Sequence, residues 1–256
     1  MKRGFNMSLK IISQNVMCWQ KEQIGTYEQR RPLLKKVFRD HGADIIGMQE
    51  VTEYWEKAFD EDLHDFGKLL VYRGQNNKEA VPIYWRKDNL KPLDSGYFWL
   101  SETPEKESIG WNASCLRITC WVLFEQIDTG KKFAFVNTHL DHISKEARIN
   151  GIQLICDFIN NRFGKEMPLI LSGDFNTLPD SETSEKAKSL LNDARSIAKE
   201  TTDELTFHAY NPHAACTIDY IYLSNNISCN KFEVIKELND GNPQSDHYGI
   251  MAEITI

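Results

Sequence analysis

The most informative stretch of this chain is Leu169-Ile170-Leu171-Ser172-Gly173-Asp174-Phe175-Asn176-Thr177-Leu178-Pro179-Asp180. An apolar run leads into a glycine, and an aspartate and an asparagine follow before a turn that contains proline. This order is typical of a buried strand that delivers a carboxylate and an amide at its C-terminal end. Polar side chains at such a place need partners, so the pair indicates a functional site. A strand-to-turn junction with an Asx cap has the same local pattern.

Other strand-like segments spread over the whole chain also carry polar side chains of the kind that bind metal or phosphate. In open α/β sheets, functional sites gather at the ends of strands. Packing alone does not explain why such side chains recur at these places. The residues concerned are Asn15, Glu50, His139, Asp219, Asp246 and His247.

The apolar periodicity predicts more strands than helices. The region 68–138 is nearly all strand, which excludes a purely parallel doubly wound sheet and favours two packed sheets with helices outside them. The third helix is the clearest, because Ile152, Ile155 and Ile159 share one face. Strands are predicted at 9–15, 44–49, 68–72, 81–86, 94–100, 116–125, 132–138, 168–173, 217–223, 227–234 and 248–255, and helices at 28–41, 53–62, 144–162 and 182–192.

Composition limits the domain organisation and the partners. With 256 residues and 41% hydrophobic content, the chain is long enough for one large core. We expect a single domain over 9–256, because the motifs interleave along the chain, and a disordered or poorly ordered segment over 1–8. The net charge is −7, so the chain lacks the overall basic surface that is typical of proteins that bind long duplex nucleic acid.

The six cysteines form no Cys-x-x-Cys pair, which argues against a zinc finger or a thioredoxin-type motif. No apolar run has the length of a signal peptide or a membrane span. We therefore expect the protein to lie in the reducing cytoplasm and not to bind membranes. We also expect it to be a monomer.

Taken in series, the polar segments resemble the endonuclease/exonuclease/phosphatase superfamily of metal-dependent hydrolases. The resemblance covers residues 14–247, and the motifs follow the order of the family. It implies a four-layer α/β/β/α sandwich of two packed mixed sheets flanked by helices, with the site at one end. The matching motifs are Gln14-Asn15, Gln49-Glu50-Val51, Asn137-Thr138-His139-Leu140, Gly173-Asp174-Phe175-Asn176, Ile218-Asp219-Tyr220-Ile221 and Ser245-Asp246-His247.

A narrower resemblance points to small, stand-alone bacterial members that are similar to the deadenylase-like side of the superfamily. The segments 93–104 and 110–121 carry it. Asn112 stands where an aspartate is expected and Gly249 where proline is common, and neither touches the expected metal or nucleophile positions.

The resemblance implies Mg²⁺ or Mn²⁺ as cofactor, because hard cations prefer oxygen ligands. Glu50 is expected to ligate the ion, although a glutamate here also suits the start of the following helix. Asn15 is expected beside it, on the metal or the phosphate. Asp246 is a second ligand candidate, with capping of the last strand as its alternative.

The same motifs imply the catalytic roles. Asp174 is expected to act as the general base and Asn176 to position the attacking water. His139 and His247 are expected to contact the phosphate and stabilise its charge. Asp219 is expected to orient His247 through its second ring nitrogen.

Three further side chains are candidates for substrate contact. Arg117 follows a branch motif and suits a phosphate clamp. His208 matches a branch motif but also suits a surface loop. Trp111 is a candidate for stacking on a base or sugar, whereas such tryptophans more often pack in the core.

The sequence therefore predicts hydrolysis of a phosphodiester by in-line attack of water, with 3′–5′ removal of nucleotides from single-stranded ends as one version. A phosphomonoesterase and a phospholipid or sphingomyelin-type phosphodiesterase remain alternatives, because fold-level analogy does not choose a substrate. A non-catalytic binding module is disfavoured, because Glu50, Asp174, Asn176 and His247 are all present.

Overall fold

The computed structural model describes residues 8–20 and 25–256, except for the side chain of Pro212. Residues 1–7 of the segment predicted to be disordered lie outside this range. No helix within the described ranges is long and apolar enough to cross a membrane.

Two six-stranded mixed sheets form the centre of the fold. In each, one central pair of strands is parallel, β1 (Leu9–Asn15) with β2 (Ile45–Gln49) and β9 (Lys132–His139) with β10 (Leu169–Asp174), and the other pairs are antiparallel. The first sheet contains, in spatial order, β13 (Ser228–Ile235), β16 (Gly249–Thr255), β1 (Leu9–Asn15), β2 (Ile45–Gln49), β6 (Ile83–Arg86) and β4 (Phe66–Leu69). The second contains β11 (Asn192–Asp193), β12 (Asp219–Leu223), β10 (Leu169–Asp174), β9 (Lys132–His139), β8 (Ile118–Gln126) and β7 (Leu90–Trp99).

Short elements complete the chain. Two small ribbons pair β3 (Val51–Thr52) with β5 (Glu79–Ala80) and β14 (Leu238–Asn239) with β15 (Asn242–Pro243). The α-helices are α1 (Tyr27–Arg39), α2 (Glu53–Asp62), α3 (Lys145–Phe163), α4 (Glu182–Lys188) and α5 (Ala194–Ile197), and a 3₁₀ helix spans Pro212–Ala214.

Three apolar layers hold the four-layer sandwich together. The middle layer lies between the sheets, where Ile11 and Ile45 face Phe135 and Ile170. A second layer packs α1 and α2 on the outer face of the first sheet, and a third packs α3 and α4 on the outer face of the second sheet. The α/β/β/α prediction is therefore confirmed. Successive side chains of a strand point to opposite faces of the sheet, so consecutive residues pack into different apolar layers.

The predicted elements differ from the observed ones mainly at their ends. Strand β7 begins at Leu90 rather than 94, because an edge strand tolerates Pro92 next to a bulge. Helix α4 ends at Lys188 rather than 192, because Asn192–Asp193 leaves the helix to pair with β12.

A buried polar cluster joins the two sheets beneath one end of the middle layer. The Asn137 side chain on β9 donates to the carbonyl oxygens of Met48 at 2.8 Å and Pro82 at 3.0 Å. Its Oδ1 accepts from Gln49 Nε2 at 2.9 Å and from Ser172 Oγ at 3.3 Å. Asn137 is fully buried, so the hydrogen bonds that it makes to these groups have no replacement from solvent.

We expect Asn137→Ala to destabilise the protein by on the order of 3 kcal/mol, because it leaves buried carbonyl and amide groups unpaired. Chemical denaturation with two spectroscopic probes measures this. The control is Asn225→Ala, which removes one exposed hydrogen bond and should change the stability by no more than about 0.5 kcal/mol. Equal stabilities of the two variants would contradict the role of Asn137.

Candidate active site

The strand registers bring the predicted polar residues to one end of the sandwich. Asp174 at the end of β10 lies opposite His139 on β9 and opposite Asp219 on β12. In the other sheet, Asn15 on β1 lies opposite Gln49 on β2, so that Glu50 follows directly. Residues from both halves of the chain thus meet across the two sheets.

These side chains surround a cavity of about 340 Å³, which we call the site cavity. It combines carboxylates, imidazoles and guanidinium groups with two aromatic rings. Its lining residues are Cys18, Trp19, Glu50, Arg73, Glu79, Cys115, Arg117, His139, His142, Asp174, Asn176, Phe207, Asp246 and His247.

Asp174 is the centre of the hydrogen-bond network. Its Oδ2 accepts from Asn15 Nδ2 at 3.1 Å and lies 3.4 Å from His139 Nε2 and 3.7 Å from His247 Nε2. Its Oδ1 accepts from the backbone amide of Asn176 at 2.9 Å. Burial raises the pKa of Asp174 to about 7, although the charge of His247 acts in the opposite direction. A carboxylate with such a pKa suits a general base.

His247 is held between two carboxylates. Its Nδ1 lies 2.9 Å and 3.1 Å from the two carboxylate oxygens of Asp219, and its ring packs against Phe207 at 4.7 Å between centroids. Burial alone lowers the pKa of His247, but the charges of Asp219 and Asp174 outweigh it and raise the pKa well above its usual value. His247 is therefore an imidazolium at neutral pH.

His139 has the opposite character. Burial lowers its pKa well below the usual value, and the positive charge of Arg117 lowers it further. Its Nδ1 lies 4.0 Å from Glu79 Oε1. The site therefore pairs a neutral imidazole with a cationic one on either side of Asp174, and such divergent environments are typical of acid–base sites.

Two N–H groups hold the carboxylate of Glu50, whose backbone adopts a left-handed φ of 61°. Glu50 Oε1 accepts from Asn15 Nδ2 at 3.0 Å, and Oε2 accepts from the amide of Cys18 at 2.8 Å. Burial acts to raise the pKa of Glu50, but these hydrogen bonds and the charge of His247 outweigh it, so the group stays ionised. Asp246 lines the same cavity, and the carboxylate oxygens of Glu50 and Asp246 are the ligand type that a hard divalent cation prefers.

A second set of ligand-type atoms is less suited to a metal ion. Asp174, Asp219 and His247 place one ligand atom each within 4.8 Å of one another. The imidazolium of His247 already supplies the positive charge between the two carboxylates. A metal ion there would have to displace its proton, so Glu50 is the better metal position.

The predicted substrate-binding residues separate into two groups. Arg117 is buried and lines the site cavity. His208 does not line the cavity. Its ring packs on Tyr248 with 4.5 Å between the ring centroids. Trp111 is partly buried against the outer core of the second sheet. Since neither His208 nor Trp111 lines the cavity, the site proposed below does not include them.

The aromatic side chains of the segment 93–104 lie outside the site cavity. Tyr97 and Phe98 line a separate apolar depression next to Trp121, and Trp99 donates its indole N–H to the carbonyl oxygen of Arg73. The rings that do line the site cavity belong to Trp19 and Phe207.

Sequence reasoning missed an ion pair in the site cavity. Arg73 Nη1 lies 2.6 Å from Glu79 Oε1, and both side chains are largely buried. Glu79 ends the polar stretch 75–79, and Arg73 precedes that stretch. A charged pair leaves no periodic pattern in the sequence, so only the folded structure, in which Glu79 lies on β5, brings the two side chains together.

The sequence model of the Endonuclease/Exonuclease/phosphatase family matches residues 27–247. This match spans most of the chain and contains most of the polar strand ends described above. The chain belongs to the endonuclease/exonuclease/phosphatase family. Members of this family are hydrolases that act on phosphate esters.

Solved structures of family members are closely similar. A family protein from Bacteroides vulgatus has 29% sequence identity and a TM-score of 0.91, covering 98% of this chain and 99% of that chain. The mannosyl-6-phosphatase Bt3783 from Bacteroides thetaiotaomicron has 29% identity and a TM-score of 0.89, covering 97% of this chain and 100% of that chain.

A viral relative and a distant fold neighbour extend the comparison. The uncharacterized protein L388 of Acanthamoeba polyphaga mimivirus is 30% identical over 182 residues, covering 66% of this chain and 67% of that protein. The human Nocturnin catalytic domain has the same fold at 19% identity, with a TM-score of 0.77 over 97% of this chain and 93% of that chain. The predicted resemblance to the superfamily and to bacterial members of similar length is confirmed.

We expect Asp219→Asn to lower the pKa of His247, because the substitution removes the carboxylate charge that does most to raise it. Titration of the histidine ring resonances by NMR measures this. His41, which is paired with Glu233 and Glu237 on another face, serves as the internal reference. A His247 pKa that stays the same in the variant would contradict the pairing.

Proposed function

We propose that this protein is a divalent-metal-dependent phosphoesterase that acts on a small phosphate monoester. The observation that carries the proposal is that Asp174 shares one cavity with both histidines, the carboxylates of Glu50 and Asp246, and two largely buried guanidinium groups. Each of these groups has a place in phosphate ester hydrolysis by water.

Glu50, Asn15 and Asp246 are the residues proposed to hold the metal ion. The carboxylate oxygens of Glu50 and Asp246 suit Mg²⁺ or Mn²⁺, which keep several waters and bind few protein carboxylates. Asn15, whose Oδ1 accepts from the Met17 amide at 2.9 Å, holds Glu50 in place through its Nδ2. When bound, such an ion neutralises phosphate charge and stabilises the leaving oxygen.

The remaining residues are proposed to handle the water and the phosphate. Asp174 accepts the proton of the attacking water, and Asn176, whose Nδ2 donates to the carbonyl oxygen of Leu140 at 3.1 Å, keeps its Oδ1 free to orient that water. The His247 imidazolium and neutral His139 stabilise the phosphate oxygens. Asp219 keeps His247 protonated and oriented.

Unpaired donors favour a terminal phosphate over an internal diester. Arg73 Nε and Arg117 Nη1 are buried and have no hydrogen-bond partner among the described residues. A phosphate monoester presents three oxygens to such donors, and an internal diester presents two. The similarity to the mannosyl-6-phosphatase Bt3783 supports a sugar phosphate as the monoester.

A single-stranded nucleic acid end is the second candidate substrate. Phe207 and the exposed Trp19 at the site cavity favour it, because nucleobases stack on aromatic rings. The cavity volume and the net charge of −7 favour the small ester.

Removal of metal is expected to abolish hydrolysis, and Mg²⁺ or Mn²⁺ is expected to restore it. Glu50→Gln should weaken Mn²⁺ binding at least about tenfold in calorimetry, because the ion loses an anionic ligand. Asp174→Asn should lose about 10² to 10⁴ in kcat with the proton acceptor gone, while its fold and substrate binding remain.

The exposed Glu105→Gln is the control for Glu50 and should retain both metal binding and activity. Full activity in metal-stripped protein would refute the metal role. An Asp174→Asn variant within threefold of the wild type would reject the assignment of the base.

For substrates, we expect kcat/KM for mannose 6-phosphate and p-nitrophenyl phosphate to exceed that for bis-p-nitrophenyl phosphate and single-stranded oligonucleotides by at least about tenfold, because the donors match a terminal phosphate. KM should also change little with salt, since few phosphates are contacted. Preferred cleavage of oligonucleotides with steeply salt-dependent affinity would favour the nuclease alternative.

A further inference from the structure

One group of side chains at the edge of the site cavity has the composition of a metal site. Cys115, Asp141 and His142 offer three ligand-type atoms within 4.8 Å of one another. Cys115 and His142 also line the cavity. The question is which cation this group holds.

A guanidinium group already occupies this position. Arg117 Nη2 lies 3.0 Å from His142 Nδ1, and Arg117 Nε lies 3.5 Å from Asp141 Oδ2. Two of the three ligand atoms therefore face a fixed positive charge. A divalent ion at the same place would be repelled by it, so the group is better explained as a holder of Arg117.

Each partner is itself fixed by other contacts. Asp141 Oδ2 accepts from the Ser114 amide at 3.0 Å and its hydroxyl at 2.7 Å. Asp141 Oδ1 accepts from the amides of Ile143 and Ser144 at 3.0 Å and 2.7 Å. Burial acts to raise the pKa of Asp141, but these hydrogen bonds and Arg117 outweigh it and lower the pKa to about 2. Asp141 is thus an immobile counter-charge that also joins the 114–117 segment to the start of α3.

His142, unlike the buried Asp141, is exposed. Its Nδ1 accepts from Arg117, so its proton must lie on Nε2. This contact uses one end of the guanidinium group and leaves Nη1, which has no partner among the described side chains, for a phosphate oxygen.

We propose that His142, together with Asp141, is a positioning residue that holds the Arg117 guanidinium group with Nη1 directed at the substrate phosphate. This inference deepens the proposed function and rests on it for the identity of the substrate. Neither residue is proposed to touch the reacting atoms. Asp141 also anchors α3, so variants of His142 give the cleaner test.

The test measures binding of inorganic phosphate by calorimetry with Mg²⁺ present. His142→Ala is expected to weaken binding about fivefold, because one end of the guanidinium group is released. His142→Asn, whose Oδ1 supplies an acceptor near the position of Nδ1, is expected to return the affinity to within about twofold of the wild type. The exposed His64→Ala is the control and should match the wild type.

A double-mutant cycle separates positioning from a general structural effect. In an Arg117→Ala background, His142→Ala is expected to cause no further loss of phosphate affinity, because its effect passes through Arg117. A loss that persists in that background would overturn the inference. So would unchanged affinity in His142→Ala, or a wild type that binds no phosphate.

Two further outcomes are informative. Zn²⁺ that binds the wild type at least tenfold more tightly than His142→Ala would show a metal site and overturn the inference. A wild type that gives the expected phosphate-binding pattern but hydrolyses no ester would refute the proposed function and leave the positioning of Arg117 supported.

Discussion

The hydrogen bonds of Asn137 fix the spacing of the two sheets at the end where the functional residues lie. Its amide donates to the carbonyl oxygen of Met48 on β2 and to that of Pro82 just before β6, and its Oδ1 accepts from Gln49. The space is fully used, because a Cβ on Gly47 would lie 2.7 Å from Ser172 Oγ and 2.8 Å from Asn137 Oδ1. Breaking a buried network of this kind leaves polar groups unpaired in a medium of low dielectric constant, which costs free energy. It therefore defines the relative position of the sheets more strictly than apolar contacts do.

The strand period of two carries this constraint to the site. Along the inner face of β9, Phe135 is followed by Asn137 and then His139, and along β10, Ile170 is followed by Ser172 and then Asp174. The chain thus passes from apolar core to polar cluster to functional side chain in steps of two residues. The register of β9 and β10 places these residues side by side, so the functional side chains are attached to the rigid core. Catalytic groups need such support to keep their geometry.

The charge distribution follows from burial rather than from composition. The protein is acidic overall, yet buried guanidinium groups and an imidazolium gather where a phosphate would bind. Each of these cations has its own carboxylate: Arg73 with Glu79, Arg117 with Asp141, and His247 with Asp219. A desolvated cation without such a partner would lose its proton or its position. The pairs therefore maintain positive charge in a cavity that would otherwise be negative.

The sequence by itself determined which strands end in polar side chains, the family and the four-layer architecture. An apolar run that stops at Asp174 or at Glu50 is a local pattern, and it remains visible without any contact partner. What only the tertiary structure decided are properties that depend on residues far apart in the chain. The Arg73–Glu79 pair, the neutral state of His139, and the distance of Trp111 and His208 from the cavity are of this kind. They result from strand register and burial, which set the electrostatic surroundings of a side chain and leave no periodic trace in its own segment.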